Sequence, residues 1–141
     1  MKQKVLFLCS GNSCRSQMAE AIVNARMGER WQASSAGTRP TGFVHPKALQ
    51  VLEEIGIEHC GRSKSVDEFM GRPFDLVVTV CEEAEQDCPV WLGQGQRLHL
   101  SFPDPAKASG SQAEVLAAFR AVRDDMVQKI PALLVQWQKE N

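Results

Sequence analysis

No stretch of this 141-residue sequence stays apolar for the roughly 20 residues a membrane-spanning helix needs; the longest run near its start is Val5-Leu6-Phe7-Leu8-Cys9. The same run is too short for the apolar core of a secretory signal, and it ends in Ser10-Gly11-Asn12. A cytoplasmic protein without a membrane partner is expected. Charge of one sign is lacking too. Sixteen Lys+Arg face seventeen Asp+Glu, a formal charge of -1, so no overall field favours nucleic acid and any anion site has to be local. The sequence has no internal repeat, low-complexity tract or linker, and its length fits a single domain over residues 1–141. With 43% hydrophobic and 23% charged residues, its composition excludes the disordered and fibrous classes.

Closely spaced cysteine pairs are also missing. The five cysteines, Cys9, Cys14, Cys60, Cys81 and Cys88, include no Cys-x2-Cys, and His45, His59 and His99 are scattered, so a structural metal site is not expected. An odd number of thiols in a chain large enough to fold without staples favours, in a reducing compartment, catalytic or metal-binding use over a structural framework.

Val5 to Leu8 reads as a strand covered on both faces, followed by a glycine-containing loop and by Met18, Ala19, Ile22, Val23 and Met27 at helical spacing up to Gly28. A second strand spans Trp31 to Ala36. A helix opening at Pro46 runs through Leu49, Leu52 and Ile55 to Gly56. Asp75 to Val80 is a β-branched strand that delivers Cys81 at its carboxyl end, and a fourth strand is expected around Arg97 to Leu100. From Gln112, the positions Val115, Phe119, Val122, Met126, Ile130, Leu133 and Trp137 mark a long amphipathic helix. Pro131 predicts a kink or break in it near Val127 to Ile130. Alternating strands and helices imply a parallel sheet with helices on both faces and a ligand site at the carboxyl ends of the strands.

The segment Cys9-Ser10-Gly11-Asn12-Ser13-Cys14-Arg15-Ser16 lies between the first strand and the first helix. A loop of this length, with Gly11 and Asn12 free to take unusual backbone angles, can turn successive N–H groups toward one centre, and the following helix adds its own unpaired amides. That makes an oxyanion cradle. Cys9 at its mouth would have its thiolate stabilised by the amides and Arg15, Arg15 can clamp two oxygens of a tetrahedral anion, and Ser16 can donate to the sulfur. A plain helix start capped by Ser13 is the simpler alternative.

Cys81 and Cys88 are separated by a strongly acidic segment. In a helix their Cα atoms would lie about 10.5 Å apart along the axis, whereas a disulfide spans roughly 4.4 to 6.8 Å. Joining them requires unwinding, which makes the pair a candidate redox switch; two buried small residues are the alternative. Asp104, in Phe102-Pro103-Asp104-Pro105, is a candidate acid on a loop at the same sheet edge, or a turn residue.

Together these motifs, with Gln17-Met18-Ala19-Glu20, Ser35-Ala36-Gly37 and Pro46-Lys47-Ala48, resemble the thioredoxin-coupled arsenate reductase family over essentially the whole chain. That family is built on the low-molecular-weight tyrosine phosphatase fold, and the resemblance implies a four-stranded parallel sheet flanked by helices. It implies that Ser10, Gly11, Asn12, Ser13, Cys14, Arg15 and Ser16 hold arsenate while Cys9 attacks it and Asp104 protonates the departing oxygen. Cys81 then attacks Cys9, releasing arsenite, Cys88 attacks Cys81, and thioredoxin reduces the Cys81–Cys88 disulfide. No cofactor is implied, and a monomer suffices. Pro103 and Leu100 depart from the pattern of many relatives. Lys64 falls where potassium-binding relatives carry an Asp that joins positions matching Asn12, Glu20 and Ser35. Its ammonium is expected to replace the ion by contacting Glu20 or Asn12, with a solvated surface lysine as the alternative. A low-molecular-weight phosphatase needs only Cys9, Arg15 and Asp104 and leaves Cys81 and Cys88 unexplained; it is the competing enzyme, and an oxyanion or redox sensor without turnover is the competing non-enzyme.

Overall fold

The computed structural model describes residues 2–81 and 94–141. Four strands, β1 (Gln3–Cys9), β2 (Trp31–Gly37), β3 (Pro73–Thr79) and β4 (Gln94–His99), form an all-parallel sheet in the order β2-β1-β3-β4. The α-helices among the described residues are α1 (Arg15–Arg26), α2 (Pro46–Glu54) and α3 (Gln112–Glu140). The apolar runs become the centre of the sheet. Val5 to Cys9 and Leu76 to Thr79 are all buried, so both faces of β1 and β3 are covered. On that core pack Met18 and Ile22 of α1, and Phe119, Met126 and Ile130 of α3.

Strand order decides where a site can form. The chain leaves β1 for β2 on one side and returns to β3 on the other, which opens a crevice at the carboxyl ends of β1 and β3. Cys9 ends β1. Across the ladder Leu8 pairs with Thr79, and the Val80 N–H donates to the Leu8 carbonyl at 2.8 Å, so Val80 comes level with Cys9 and Cys81 follows one residue further along.

Three expectations need correction. The long helix is not broken at Pro131 but runs unbroken from Gln112 to Glu140. Proline in a helix interior costs about 3 kcal/mol, whereas each fully buried large apolar side chain returns roughly 1.5–3 kcal/mol. Ile130, Leu134 and Trp137 on either side of Pro131 are all buried, so packing outweighs the lost bond. The buried position after Ile130 is Leu134, not Leu133, because steps of four and three keep the stripe on one face. β4 begins at Gln94, earlier than the apolar signal, because an edge strand with polar side chains carries little hydrophobic pattern.

At the ends of α1 the outcome is also instructive. The helix begins at Arg15, before its first apolar residue, since Arg15, Ser16 and Gln17 are buried at the site and not in the apolar core. Gly28 does stand just past its end, but a Cβ there would lie 2.5 Å from the Asn24 carbonyl oxygen, so close approach requires the glycine. Gly56 after α2, by contrast, has a φ of 79°, the left-handed conformation glycine tolerates.

Candidate active site

The loop from Cys9 to Cys14 is held from outside by its carbonyls. Thr38 N–H donates to Cys9 O, Arg39 to Ser10 O, Thr41 to Gly11 O, His45 to Ser13 O and Met18 to Cys14 O, at 2.8–3.2 Å. The remaining carbonyl, Asn12 O, accepts from Gln17 Nε2 at 3.2 Å. With every C=O turned outward, the amides turn inward. Among the described residues, the N–H groups of Gly11, Ser13 and Cys14 donate to no protein acceptor, and Asn12 N–H points at the Cys9 sulfur at 3.2 Å. The curl requires Asn12 to adopt a φ of 48°, which asparagine accepts more readily than most residues. Gly37 makes room for it, since a Cβ there would lie 2.6 Å from Ser10 O and 3.0 Å from Asn12 N. α1 then opens with no side-chain cap and no acidic residue in its first turn, so its amides and positive end face the same centre. The simple capped-helix alternative is thereby excluded, because Ser13 does not cap α1.

Cys9 sits at that centre with its sulfur 2.8 Å from Ser16 Oγ. Arg15 is 7% exposed; its guanidinium reaches Phe102 O at 3.3 Å and Asp104 Oδ2 at 3.5 Å. Asp104 Oδ1 accepts from Ala106 N–H at 3.0 Å, capping a short 3-10 helix (Pro105–Lys107), which fixes the carboxylate and leaves Oδ2 toward Arg15. These groups line a cavity of about 210 Å³ together with Ser10, Gly11, Ser13, Cys14, Thr41, Phe43 and His45. Burial first, then the charges of Asp104 and Cys9, push the Cys14 thiol up to about 12, so it stays protonated at neutral pH and is no competing nucleophile. Burial, with Lys47 adding to it, lowers His45 below its ordinary value. Its Nδ1 accepts from Lys47 N–H at 3.1 Å, which caps α2, and its ring lies 4.8 Å from that of Phe119. Phe43 is 53% exposed at the cavity mouth.

Cys81 is buried at the end of β3. Cys88, and with it the geometry of the Cys81–Cys88 pair, lies outside the described residues. The four residues expected around a cation come together. Ser35 Oγ donates to Glu20 Oε1 at 2.8 Å, Lys64 Nζ lies 3.9 Å from the same oxygen and 2.9 Å from Arg62 O, and Lys64 N–H donates to Asn12 Oδ1 at 3.0 Å. Contact with Asn12 therefore comes from the backbone of Lys64 and not its ammonium. Burial lowers the Lys64 ammonium below its ordinary value, with Glu20 acting in the opposite direction. Among the described residues, no cluster of three or more His, Cys, Asp or Glu could hold a metal ion, and no helix is long and apolar enough to cross a membrane. Cys60 is exposed.

Three further groups were not singled out from the sequence. Thr41, Phe43 and His45 reach the cavity from the connection between β2 and α2, where the backbone N–H groups of Thr41 and His45 are stitched to the loop carbonyls and Phe43 lies between them. Gln17 is fully buried and donates through Nε2 to Asn12 Oδ1 at 2.9 Å and to Arg62 O at 3.0 Å, while His59 Nε2 lies 2.7 Å from its Oε1. The sequence signal for Gln17 was a polar residue next to the apolar stripe of α1; for His59 there was none.

Comparison with known proteins agrees with this geometry. The model of the low molecular weight phosphotyrosine protein phosphatase family matches residues 4–141. An arsenate reductase of Halalkalibacterium halodurans is 42% identical over 130 residues, covering 92% of this chain and 93% of that protein. That of Bacillus subtilis is 39% identical over 128 residues, covering 89% and 91%. Among solved structures, an arsenate reductase in its phosphate-binding state superposes with a TM-score of 0.75 at 27% identity, over 95% of this chain and 98% of the other. A low molecular weight protein tyrosine phosphatase from T. tengcongensis gives a TM-score of 0.75 at 27% identity, over 96% and 99%. A cysteine in an inward-facing amide cradle, an arginine one turn later and a carboxylate across the cavity place the chain, over nearly its whole length, in the low molecular weight phosphotyrosine protein phosphatase family.

Proposed function

We propose that this enzyme reduces arsenate to arsenite through a relay of Cys9, Cys81 and Cys88, with thioredoxin restoring the thiols. The observation that carries the reading is the placement of Cys81, a buried thiol at the end of β3 beside the strand that ends in Cys9, in a chain whose relatives include proteins named arsenate reductase. A phosphatase has no use for a sulfur there.

The chemistry proceeds as follows. Arsenate enters the cradle, its oxygens taken by the loop amides and the Arg15 guanidinium. The Cys9 sulfur attacks arsenic and one oxygen departs as water, with Asp104 supplying the proton. Cys81 thiolate next attacks the Cys9 sulfur. A sulfur–sulfur bond forms, the sulfur–arsenic bond breaks, and its electron pair stays on arsenic, which leaves as arsenite. Two thiols have lost two electrons and arsenic has gained them. Cys88 then attacks Cys81, freeing Cys9, and a thioredoxin dithiol reduces the Cys81–Cys88 disulfide. In this reading the enzyme is a cytoplasmic monomer without a cofactor. Lys64 serves as a built-in cation for the Glu20–Ser35 corner, supported by its largely buried side chain with the ammonium 3.9 Å from Glu20.

The test is NADPH consumption in the presence of thioredoxin, thioredoxin reductase and arsenate, with Cys9→Ser, Cys81→Ser and Cys88→Ser run separately. All three are expected to stop multiple turnover, and Cys88→Ser to accumulate a Cys9–Cys81 disulfide visible by mass spectrometry. Arsenate turnover that persists in Cys81→Ser overturns the relay. Since the same cradle fits phosphate, weak phosphatase activity is expected alongside, sensitive to Cys9→Ser and indifferent to Cys81→Ser.

A further inference from the structure

Behind the Cys9 sulfur, away from the cavity, a chain of hydrogen bonds leads to His59, and its direction is fixed by the backbone groups attached to it. Gln17 Nε2 lies within 3.2 Å of two main-chain carbonyls, Asn12 O and Arg62 O, which only accept. The nitrogen of that amide is thereby identified, so Oε1 faces His59, and the His59 Nε2 at 2.7 Å has to carry a proton. Asn12 Oδ1 receives the main-chain N–H of Lys64 at 3.0 Å, a group that only donates. Its Nδ2 therefore donates to Ser16 Oγ at 2.7 Å, and with that oxygen accepting, the Ser16 proton is directed at the Cys9 sulfur 2.8 Å away. Neither amide can be turned over without setting two donors or two acceptors against each other.

We propose that Gln17 and His59 are positioning residues for the nucleophile: His59 fixes the Gln17 amide, Gln17 fixes Asn12, and Asn12 commits the Ser16 hydroxyl proton to the Cys9 sulfur. The proposal rests on Cys9 being the nucleophile. It works through neutral hydrogen bonds, since none of the links is charged when His59 is neutral, and burial holds His59 below its ordinary value. Glu20 Oε2, 3.8 Å away, favours the protonated ring, and Lys64 opposes it. On the cavity side the sulfur faces Arg15, Asp104 and Cys14, none of which belongs to this chain of bonds. A hydroxyl proton held on sulfur stabilises the thiolate more than the thiol, so cutting the chain has to shift the pH at which Cys9 becomes reactive.

The experiment is alkylation of the purified full-length protein by iodoacetamide across pH 5–9, followed on the Cys9 peptide by mass spectrometry with fragmentation that separates Cys9 from Cys14. It needs neither arsenate nor thioredoxin, so it stands apart from the test of the reduction. Gln17→Met keeps the side-chain volume and removes the link; the midpoint for Cys9 is expected to rise by about half a pH unit, a threefold slower reaction below it. His59→Leu is expected to give a smaller rise, and His59→Gln, which can place a donor where Nε2 stands, to restore the original midpoint. A Gln17→Met profile superimposed on that of the unaltered protein overturns the proposal, as does a His59→Gln profile displaced as far as that of His59→Leu. Should Gln17→Met fail to fold by circular dichroism, the His59 pair alone decides between these outcomes.

Discussion

In front of the Cys9 sulfur, Arg15, Asp104 and the amino end of α1 present charge to a cavity of about 210 Å³; behind it, Ser16, Asn12 and Gln17 form a buried set of neutral donors and acceptors. The distances separate the two sides. Arg15 reaches its protein partners at 3.3 and 3.5 Å, the long edge of hydrogen bonding, whereas the side-chain bonds that link Cys9, Ser16, Asn12 and Gln17 in sequence are 2.7–2.9 Å. The front is under-satisfied and so is available to an anion. The back is saturated and so holds its shape. Substitutions in front should therefore change turnover with little loss of stability, and those behind should lower stability and move the pH at which Cys9 reacts.

The largest effect that would break this contrast is at the sulfur itself. Cys9→Ser should abolish arsenate reduction and phosphatase turnover together while leaving the melting temperature nearly unchanged, checked by coupled assay and calorimetry. Asp104→Asn is expected next, with kcat down by about 10²- to 10⁴-fold, the usual worth of a general acid. KM should be nearly constant; a KM effect alone would move Asp104 from acid to binding group. Arg15→Lys keeps the charge and loses the fork, and should weaken kcat/KM by about ten- to a hundredfold, since a bidentate contact carries about 1.5–3 kcal/mol.

The smaller effects sharpen the comparison from the side of stability. Replacing sodium by potassium should leave turnover and melting temperature of the unaltered protein unchanged, since Lys64 already places a cation by Glu20. Lys64→Asp should melt lower in sodium and recover in potassium. Far from the site, Glu54 links α2 to α3 through Arg120 at 2.6 Å and Arg123 at 2.7 Å. Chiefly its hydrogen bond to Arg120, with Arg123 helping, lowers its carboxyl from an ordinary 4.5 to about 2. A carboxyl lowered in the folded state stabilises fully above its ordinary value, and that contribution disappears as pH falls from about 4.5 toward about 2. Urea midpoints for Glu54→Gln and the unaltered protein should hence differ at pH 7 and converge near pH 2.

Much of this was legible in the sequence because it rests on local pattern. Val5 to Leu8 and Leu76 to Val80 are apolar runs whose burial any sheet would require, and a cysteine, a glycine and an arginine at a strand-to-helix junction already define a cradle. The geometry of the outer carbonyl bonds was not legible, since Thr38, Arg39, Thr41 and His45 meet the loop only after β2 has paired with β1. His59 is hidden for the same reason. It lies 42 positions from Gln17, on a segment with no periodicity, and becomes part of the site by a fold-back that no local signal records. Pro131 shows the opposite limit, a strong local rule overruled by the burial of Ile130, Leu134 and Trp137.

The pairing of Leu8 with Thr79 acts as a ruler for the redox chemistry. With that register Val80 stands level with Cys9 and Cys81 leaves the sheet one residue later, so deleting one residue between Leu76 and Cys81 would move the second thiol by a full register step relative to Cys9. In the proposed relay, that register in the middle of the sheet would set how far apart the first two thiols start.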